Sequence, residues 1–189
     1  MNLKRVMIAC LIAASGGCTT ASEKPDVRMT ATIKDIMSSM IDPSADFMFE
    51  SMAEISDENG IRQKAPQSSE EWKEVRHRAV ILFEGVNLLT MNGRKVARSG
   101  ENPEFPQVEL HPDDIQKLVD EDRESFVKRA LRLQDAASAA IEAVDAKDTG
   151  RLFTAIENID KACESCHVHY WYPKDAKAVE DAKQRGVYD

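Results

Sequence analysis

Apolar side chains recur at steps of three and four along most of the chain, which is the periodicity of amphipathic α-helices. Four stretches carry this pattern, from about residue 30 to 55, from 69 to 91, from 112 to 147 and from 149 to 172. None of them is apolar all round, so each helix needs neighbours to bury its stripe. No alternating pattern predicts a strand. The sequence therefore predicts an all-α fold and favours an antiparallel four-helix bundle.

Proline and polar residues mark where the predicted helices begin and end. Asp42-Pro43 interrupts the first helix, because a residue before proline avoids the helical region; the helix either kinks there or restarts with Asp42 as its cap. The polar segments 57–69 and 98–111 are predicted as loops. The third helix is predicted as one long helix that begins near Pro112.

Residues 1–21 have the features of an export signal. Lys4 and Arg5 form the charged start, and the apolar core that follows is too short to span a bilayer. Ser15-Gly16-Gly17-Cys18 resembles a bacterial lipoprotein box, in which the cysteine is lipidated and becomes the mature N-terminus. Cleavage near Ala21 by an ordinary signal peptidase is the alternative. Both routes predict a periplasmic protein, and lipidation of Cys18 would anchor it to a membrane.

The rest of the chain divides into three predicted parts. Residues 22–29 are polar and are predicted as a tether, residues 30–172 as the helical domain, and the charged residues 173–189 as a loose tail. Only residues 30–172 carry the apolar periodicity of helices, and this sets them apart from the segments on either side.

The composition is acidic, with 33 acidic and 25 basic residues and a formal net charge of −8 at pH 7. This balance does not favour nucleic acid or anionic lipid as partners and suits basic proteins. Ordinary solubility explains it equally well. Of the four cysteines, Cys10 and Cys18 lie in the leader, so the sequence does not predict a disulfide framework.

The other two cysteines belong to the sequence Cys163-Glu164-Ser165-Cys166-His167, near the end of the fourth predicted helix. Cys-x-x-Cys-His is the attachment motif of c-type haem. Residues three and four apart share one face of a helix, so both thiols and the imidazole project to the same side. The thiols can then reach the two porphyrin vinyl groups while His167 binds the iron as an axial ligand. The motif predicts one covalently bound haem c.

Two other chemistries use the same residue types. A zinc site needs four ligands, and Cys163, Cys166, His167 and His169 are crowded on one short helical segment. A redox dithiol of the thioredoxin type expects strands around it, and the pattern shows none. Haem is therefore the favoured interpretation.

These features together resemble the class II cytochromes c, the cytochrome c-prime group, as an exported bacterial member. The family is a four-helix bundle with its haem motif on the last helix, which implies that Cys163, Cys166 and His167 hold the haem. Tyr170 matches a tyrosine often found three residues after the haem histidine, which implies a place in the haem pocket. Trp171 departs from the family pattern, where many members have Arg or Lys, and this weakens a nitric-oxide role. A homodimer is implied by analogy only.

Any methionine that serves as the sixth iron ligand must lie upstream of the motif, because the last methionine in the chain is Met91. The resemblance implies a methionine from the first helix, as in low-spin members of the family. Met37 is the first choice and Met40 the alternative, both on that helix; a methionine at this spacing is also a common core residue. An open sixth position is the main rival.

Methionine ligation favours an electron-transfer cytochrome that exchanges electrons with redox partner proteins. An open position favours a five-coordinate protein that binds gases such as NO or CO. An enzymatic, peroxidase-like role needs a distal acid–base residue, and the first helix contains no histidine. The chain is therefore expected to be an electron carrier and not an enzyme.

Overall fold

The computed structural model describes residues 28–57 and 60–187. The predicted export signal, Cys18 and most of the predicted tether lie outside these residues. The described part is mainly helical, which confirms the all-α class. Its elements in chain order are α1 (Ile33–Ile36), a π-helical turn (Met37–Ile41), α2 (Asp42–Ser51), β1 (Ala53–Asp57), β2 (Gly60–Lys64), α3 (Ser69–Leu89), α4 (Pro112–Glu121), α5 (Arg123–Asp145), α6 (Thr149–Tyr170) and α7 (Ala176–Gln184).

The first helical segment runs without a break through Asp42-Pro43. Thr32 caps α1, and the Asp35 carboxylate accepts a hydrogen bond from the Thr32 amide at 2.9 Å. The π-helical turn lies just before Pro43, and the amide of Asp42 donates to the carbonyl of Met37, five residues back. Pro43 has no amide hydrogen and its ring crowds the preceding turn, so the helix widens there. Asp42 does not cap a restarted helix, because its own backbone is helical.

A two-stranded antiparallel hairpin follows α2, with Ala53 paired to Lys64 and Asp57 to Gly60. Gly60 has a φ of +108°, which residues with a side chain rarely adopt. The prediction of a helix to residue 55, a loop after it and no strands is wrong here. The helix ends at Ser51. The two strands are held by their pairing across a turn, and the periodicity of apolar residues does not reveal such pairing.

Two predicted helix starts are confirmed by their caps. The Ser68 hydroxyl accepts a hydrogen bond from the Glu71 amide at 3.1 Å at the start of α3. The Asp148 carboxylate accepts from the Arg151 amide at 3.0 Å at the start of α6. Both caps use short polar side chains that the sequence places just before an apolar stripe.

The predicted third helix is two helices, α4 and α5, separated at Asp122. Asp122 has φ −130° and ψ 61°, which is not helical, and its carboxylate accepts a hydrogen bond from the Ser125 amide at 3.1 Å. The apolar stripe continues across this break, so periodicity alone suggests one helix. The cap supplies a partner to an amide in the first turn of α5, which has none inside the helix.

The connection between α3 and α4 holds the start of α1. The amides of Ile33 and Lys34 have no partner inside the helix and donate to the carbonyls of Lys95 at 2.8 Å and Val96 at 2.9 Å. The buried Arg94 donates to carbonyls on both sides of this contact. The beginning of the first helix is therefore fixed against residues 94–96, which precede the loop that the sequence predicts at 98–111.

The long helices share one apolar core. α5 packs against both α3 and α6, and α2 packs against α3 and α6. The largest fully buried side chains include Ile36, Met48, Leu82 and Ile159, each from a different helix. None of the described helices is long and apolar enough to cross a membrane.

The C-terminal segment is not the loose tail that the sequence predicts. Residues Ala176–Gln184 form α7, and Ala182 and Val187 are buried against Val168 of α6 in a small second cluster. Two buried apolar positions in an otherwise charged segment are too few to give a clear stripe. The haem motif therefore lies on α6 and not on the final helix of the chain.

Candidate functional site

Cys163, Cys166 and His167 lie in the last two turns of α6, and their side chains line one cavity. All three are half-buried, and both cysteines are free thiols. The spacing of three and four residues places them on one helix face, as the sequence predicts. Two thiols and an imidazole therefore converge on one space, and α6 alone is enough to arrange them.

The cavity at this face, called the apolar cavity below, has a volume of about 460 Å³ including its open side. Apolar side chains from α1, α3 and α5 and from α6 itself complete its lining; these are Ile33, Leu89, Phe126, Ala130, Leu133 and Ala162. A space bounded mainly by hydrocarbon matches the hydrophobic faces of a porphyrin in polarity.

Met37, in the π-helical turn, lines the same apolar cavity as His167. The tertiary fold thus brings the first-choice sixth ligand to the haem motif. Met40 is half-buried and packs against the core, but it is not among the described residues that line the cavity. The placement favours Met37 over Met40.

A second, more polar space, called the outer cleft below, adjoins the apolar cavity. Its volume is about 900 Å³ including open solvent, and it shares Met37, His167 and Trp171 with the apolar cavity. Asp42 and Tyr172 also line it. The His167 imidazole and the Met37 thioether therefore lie between the apolar cavity and the more polar outer cleft.

Burial governs the electrostatics of the imidazole. It lowers the pKa of His167 below its ordinary value, while the nearby carboxylates of Asp42, Glu164 and Glu109 act in the opposite direction. Burial likewise raises the pKa of Asp42, although His167 partly opposes this shift. A neutral imidazole is the form that binds a metal ion.

Burial also keeps both thiols protonated near neutral pH. It raises the pKa of Cys163 to about 12 and the pKa of Cys166 to about 12, the latter opposed by the positive charge of Arg129. Thiols of this kind are poor nucleophiles toward disulfides and poor ligands for a dissolved metal ion.

Arg129 of α5 is a buried cation in this apolar lining. Its Nη1 donates to the Ser165 hydroxyl at 2.6 Å and to the Ser165 carbonyl at 3.2 Å. Ser165 lies between the two motif cysteines and is itself only 2% exposed. A hydrogen bond from a charged donor therefore joins α5 to the middle of the haem motif.

The aromatic residues after the motif occupy three different positions. Tyr170 is fully buried but does not line the apolar cavity; it packs edge-on against Phe126, which does, at 5.5 Å between ring centroids. Trp171 lines both spaces. The Tyr172 hydroxyl donates to Glu164 at 2.9 Å and fixes the chain beyond α6.

His77 and His111 lie away from the motif. His77 is exposed beside Glu74, and His111 caps α4 by accepting a hydrogen bond from the Asp113 amide at 3.3 Å. No three His, Cys, Asp or Glu side chains within residues 28–57 and 60–187 are grouped to hold a metal ion. That finding concerns metals held by side chains alone, whereas a haem iron takes most of its ligands from the porphyrin.

Sequence reasoning missed Arg129 and the roles of Leu89 and Phe126 at the cavity. One indication of Arg129 was available, because it lies three residues after Phe126 and four before Leu133, both on the apolar stripe of α5. A charged residue at a position of the apolar stripe predicts either a buried cation or a point where the stripe is exposed to solvent. Only the packing of α5 on α6 distinguishes these two outcomes.

Comparisons with known proteins returned no match: no family model fits the chain, and neither the curated proteins nor the solved structures contain a significant relative.

Proposed function

We propose that the chain is an exported c-type cytochrome with a class II-like architecture, and that it transfers electrons. The observation that carries this proposal is the apolar cavity, in which Cys163, Cys166 and His167 converge with Met37 from the other end of the domain. A Cys-x-x-Cys-His motif that faced solvent or a packed core could not bind a porphyrin in this way.

The bundle is part of the proposal. The segment α1–α2 forms its first helix, α3 its second, α5 its third and α6 its fourth. The packing of α5 on α3 and α6, and of α2 on α3 and α6, supports an arrangement in which each helix has two neighbours. Short connections between α5 and α6 support their antiparallel orientation.

The residues present fit a covalently bound haem. Cys163 and Cys166 would hold the group through two thioether bonds, each formed by addition of one S–H across one vinyl group, which consumes no oxidant. The neutral imidazole of His167 and the Met37 sulfur would bind the iron. The bound iron supplies one-electron chemistry between its ferric and ferrous forms.

Electron transfer requires little more from the protein than fixed ligands and a dry pocket. Histidine and methionine ligation raises the reduction potential and keeps both oxidation states six-coordinate. The bound group would take one electron from a reduced partner protein and pass it to an oxidised one, and no bond of this chain would form or break. The acidic composition supports basic redox partners. The export signal predicts that these partners are periplasmic, and lipidation of Cys18 would hold the protein at the membrane.

A gas-binding protein is the alternative. The buried side chain of Ile33 lines the apolar cavity beside Met37, so an apolar group is also available to cover an open sixth position. A five-coordinate haem would then bind NO or CO on that side.

Two measurements test the proposal. The full chain is expressed in a bacterium that matures c-type haem, and the protein is denatured in acid to see whether haem remains attached. Retained haem in the wild type and its loss in Cys163→Ala/Cys166→Ala support covalent attachment; wild-type protein without haem refutes the proposal.

Visible spectra of both oxidation states, with and without carbon monoxide, separate the two functions. Low-spin spectra that carbon monoxide does not change support electron transfer. A high-spin ferrous spectrum that responds readily to carbon monoxide supports gas binding instead.

A further inference from the structure

We propose that Arg129 sets the reduction potential of this site, because its buried positive charge stabilises the reduced state and Ser165 holds that charge beside the motif. This inference rests on the proposed haem function. Arg129 is buried and lies outside the attachment motif.

The first step of the argument is the position of the charge. Arg129 is 8% exposed and lines the apolar cavity together with Cys163 and Cys166. The other lining residues contributed by α5 are Phe126, Ala130 and Leu133, all uncharged. The guanidinium therefore acts on the cavity from an apolar wall with little water to screen it.

The second step is that the charge is held in place. Nη1 donates to both the hydroxyl and the carbonyl of Ser165, at 2.6 and 3.2 Å. Ser165 is 2% exposed and is adjacent in sequence to Cys166. A flexible surface cation samples many positions, whereas this one has a fixed position relative to the attachment motif.

The third step is the sign of the effect. Reduction adds one electron, and therefore one negative charge, to the site. A nearby fixed positive charge stabilises that product more than the oxidised form, so it raises the potential. A charge on the outside of α5 is screened by water and salt and has much less influence. Lys128, the residue before Arg129, is exposed and provides that comparison.

The test compares potentials of the haem-loaded full chain for five variants. Arg129→Gln removes the charge and is expected to lower the equilibrium constant for reduction by about tenfold, with the visible spectrum unchanged. Arg129→Lys keeps the charge and should retain most of the potential. Lys128→Gln is the matched control for loss of one positive charge and should have almost no effect. Ser165→Ala removes the hydroxyl acceptor but leaves the charge and its bond to the Ser165 carbonyl, so its potential should fall by less than that of Arg129→Gln.

Ser165→Asp places a carboxylate against Arg129 without removing it and should lower the potential as Arg129→Gln does. If Arg129→Gln does not fold, Ser165→Asp still tests whether the charge of Arg129 raises the potential. The inference would be overturned if the potentials of Arg129→Gln and Ser165→Asp matched that of Lys128→Gln. A decrease in Ser165→Ala as large as that in Arg129→Gln would overturn it as well. In either case a wild type that carries covalent haem leaves the proposed function intact, whereas a wild type without haem refutes both.

Discussion

Met37 and His167 line the same apolar cavity although they lie at opposite ends of the helical domain. α6 positions the imidazole, and the π-helical turn before Pro43 positions the thioether. The turn is widened because Pro43 removes a helical hydrogen bond. Asp42-Pro43, which the sequence suggests as an interruption of the first helix, therefore shapes the cavity wall that carries Met37.

The first prediction separates the two candidate methionine ligands. Met37→Ala is expected to convert a low-spin spectrum to a high-spin one that carbon monoxide changes, because an alanine cannot bind iron. Met40→Ala is the matched control and should leave the spectrum low-spin, because Met40 does not line the cavity. Visible absorption of both oxidation states provides the measurement. A low-spin spectrum that survives Met37→Ala would mean that another group binds the iron.

The second prediction concerns the close packing of α3 on the π-helical turn. A Cβ at Gly85 would lie 3.1 Å from Cγ1 of the buried Ile41, which is tighter than normal packing. Gly85→Ala should therefore destabilise the protein by about 1 kcal/mol, since overpacking of about 1–3 kcal/mol exceeds the gain of about 1 kcal/mol in helix propensity.

The control is the same substitution in an Ile41→Ala background, where the contact is absent. There Gly85→Ala should be neutral or stabilising by up to about 1 kcal/mol. Urea unfolding followed by circular dichroism gives the four free energies of unfolding. Equal effects of Gly85→Ala in both backgrounds would show that Ile41 is not what restricts this position.

The third prediction concerns the acid stability of the first helix. Hydrogen bonds from the amide and then the hydroxyl of Thr32, together with the charge of Arg98, lower the pKa of Asp35 below 3.8. A lowered folded-state pKa stabilises the protein above the unfolded value, and this contribution is lost as the pH falls through the folded-state pKa. Asp35→Asn should therefore be less stable than wild type at neutral pH, with the difference shrinking well below pH 3.8.

Urea unfolding at several pH values measures this difference. Asp135→Asn, at an exposed position on α5, is the control and should change stability little at any pH. A deficit in Asp35→Asn that stays constant into acid would contradict the assigned role of the carboxylate charge.

The fourth prediction tests whether α7 is docked. Ala182→Glu places a charge in the buried contact with Val168 and should expose the C-terminal segment to proteolysis while leaving haem attached. Ala176→Glu introduces the same side chain at an exposed position of the same helix and should leave the segment protected. Limited digestion with mass spectrometry of the fragments distinguishes the two. Equal cleavage of wild type and Ala182→Glu would mean that α7 is not held against α6.

Much of the secondary structure follows from local sequence. The helices that Ser68 and Asp148 cap begin where the sequence predicts, because a cap depends on one short side chain and amides two or three residues away. The hairpin, the break at Asp122 and the docking of α7 were not predicted. Each of them depends on contacts between distant segments, or on a cap hidden within a continuous apolar stripe.

The sequence by itself determined that Cys163, Cys166 and His167 share one helix face, since spacings of three and four residues impose this on any α-helix. Only the tertiary structure decided what that face meets. It placed Met37 rather than Met40 at the cavity, and it brought Arg129 of α5 to Ser165. Helical periodicity records which side chains lie on the same side of one helix, whereas the residue opposite them depends on how separate helices pack.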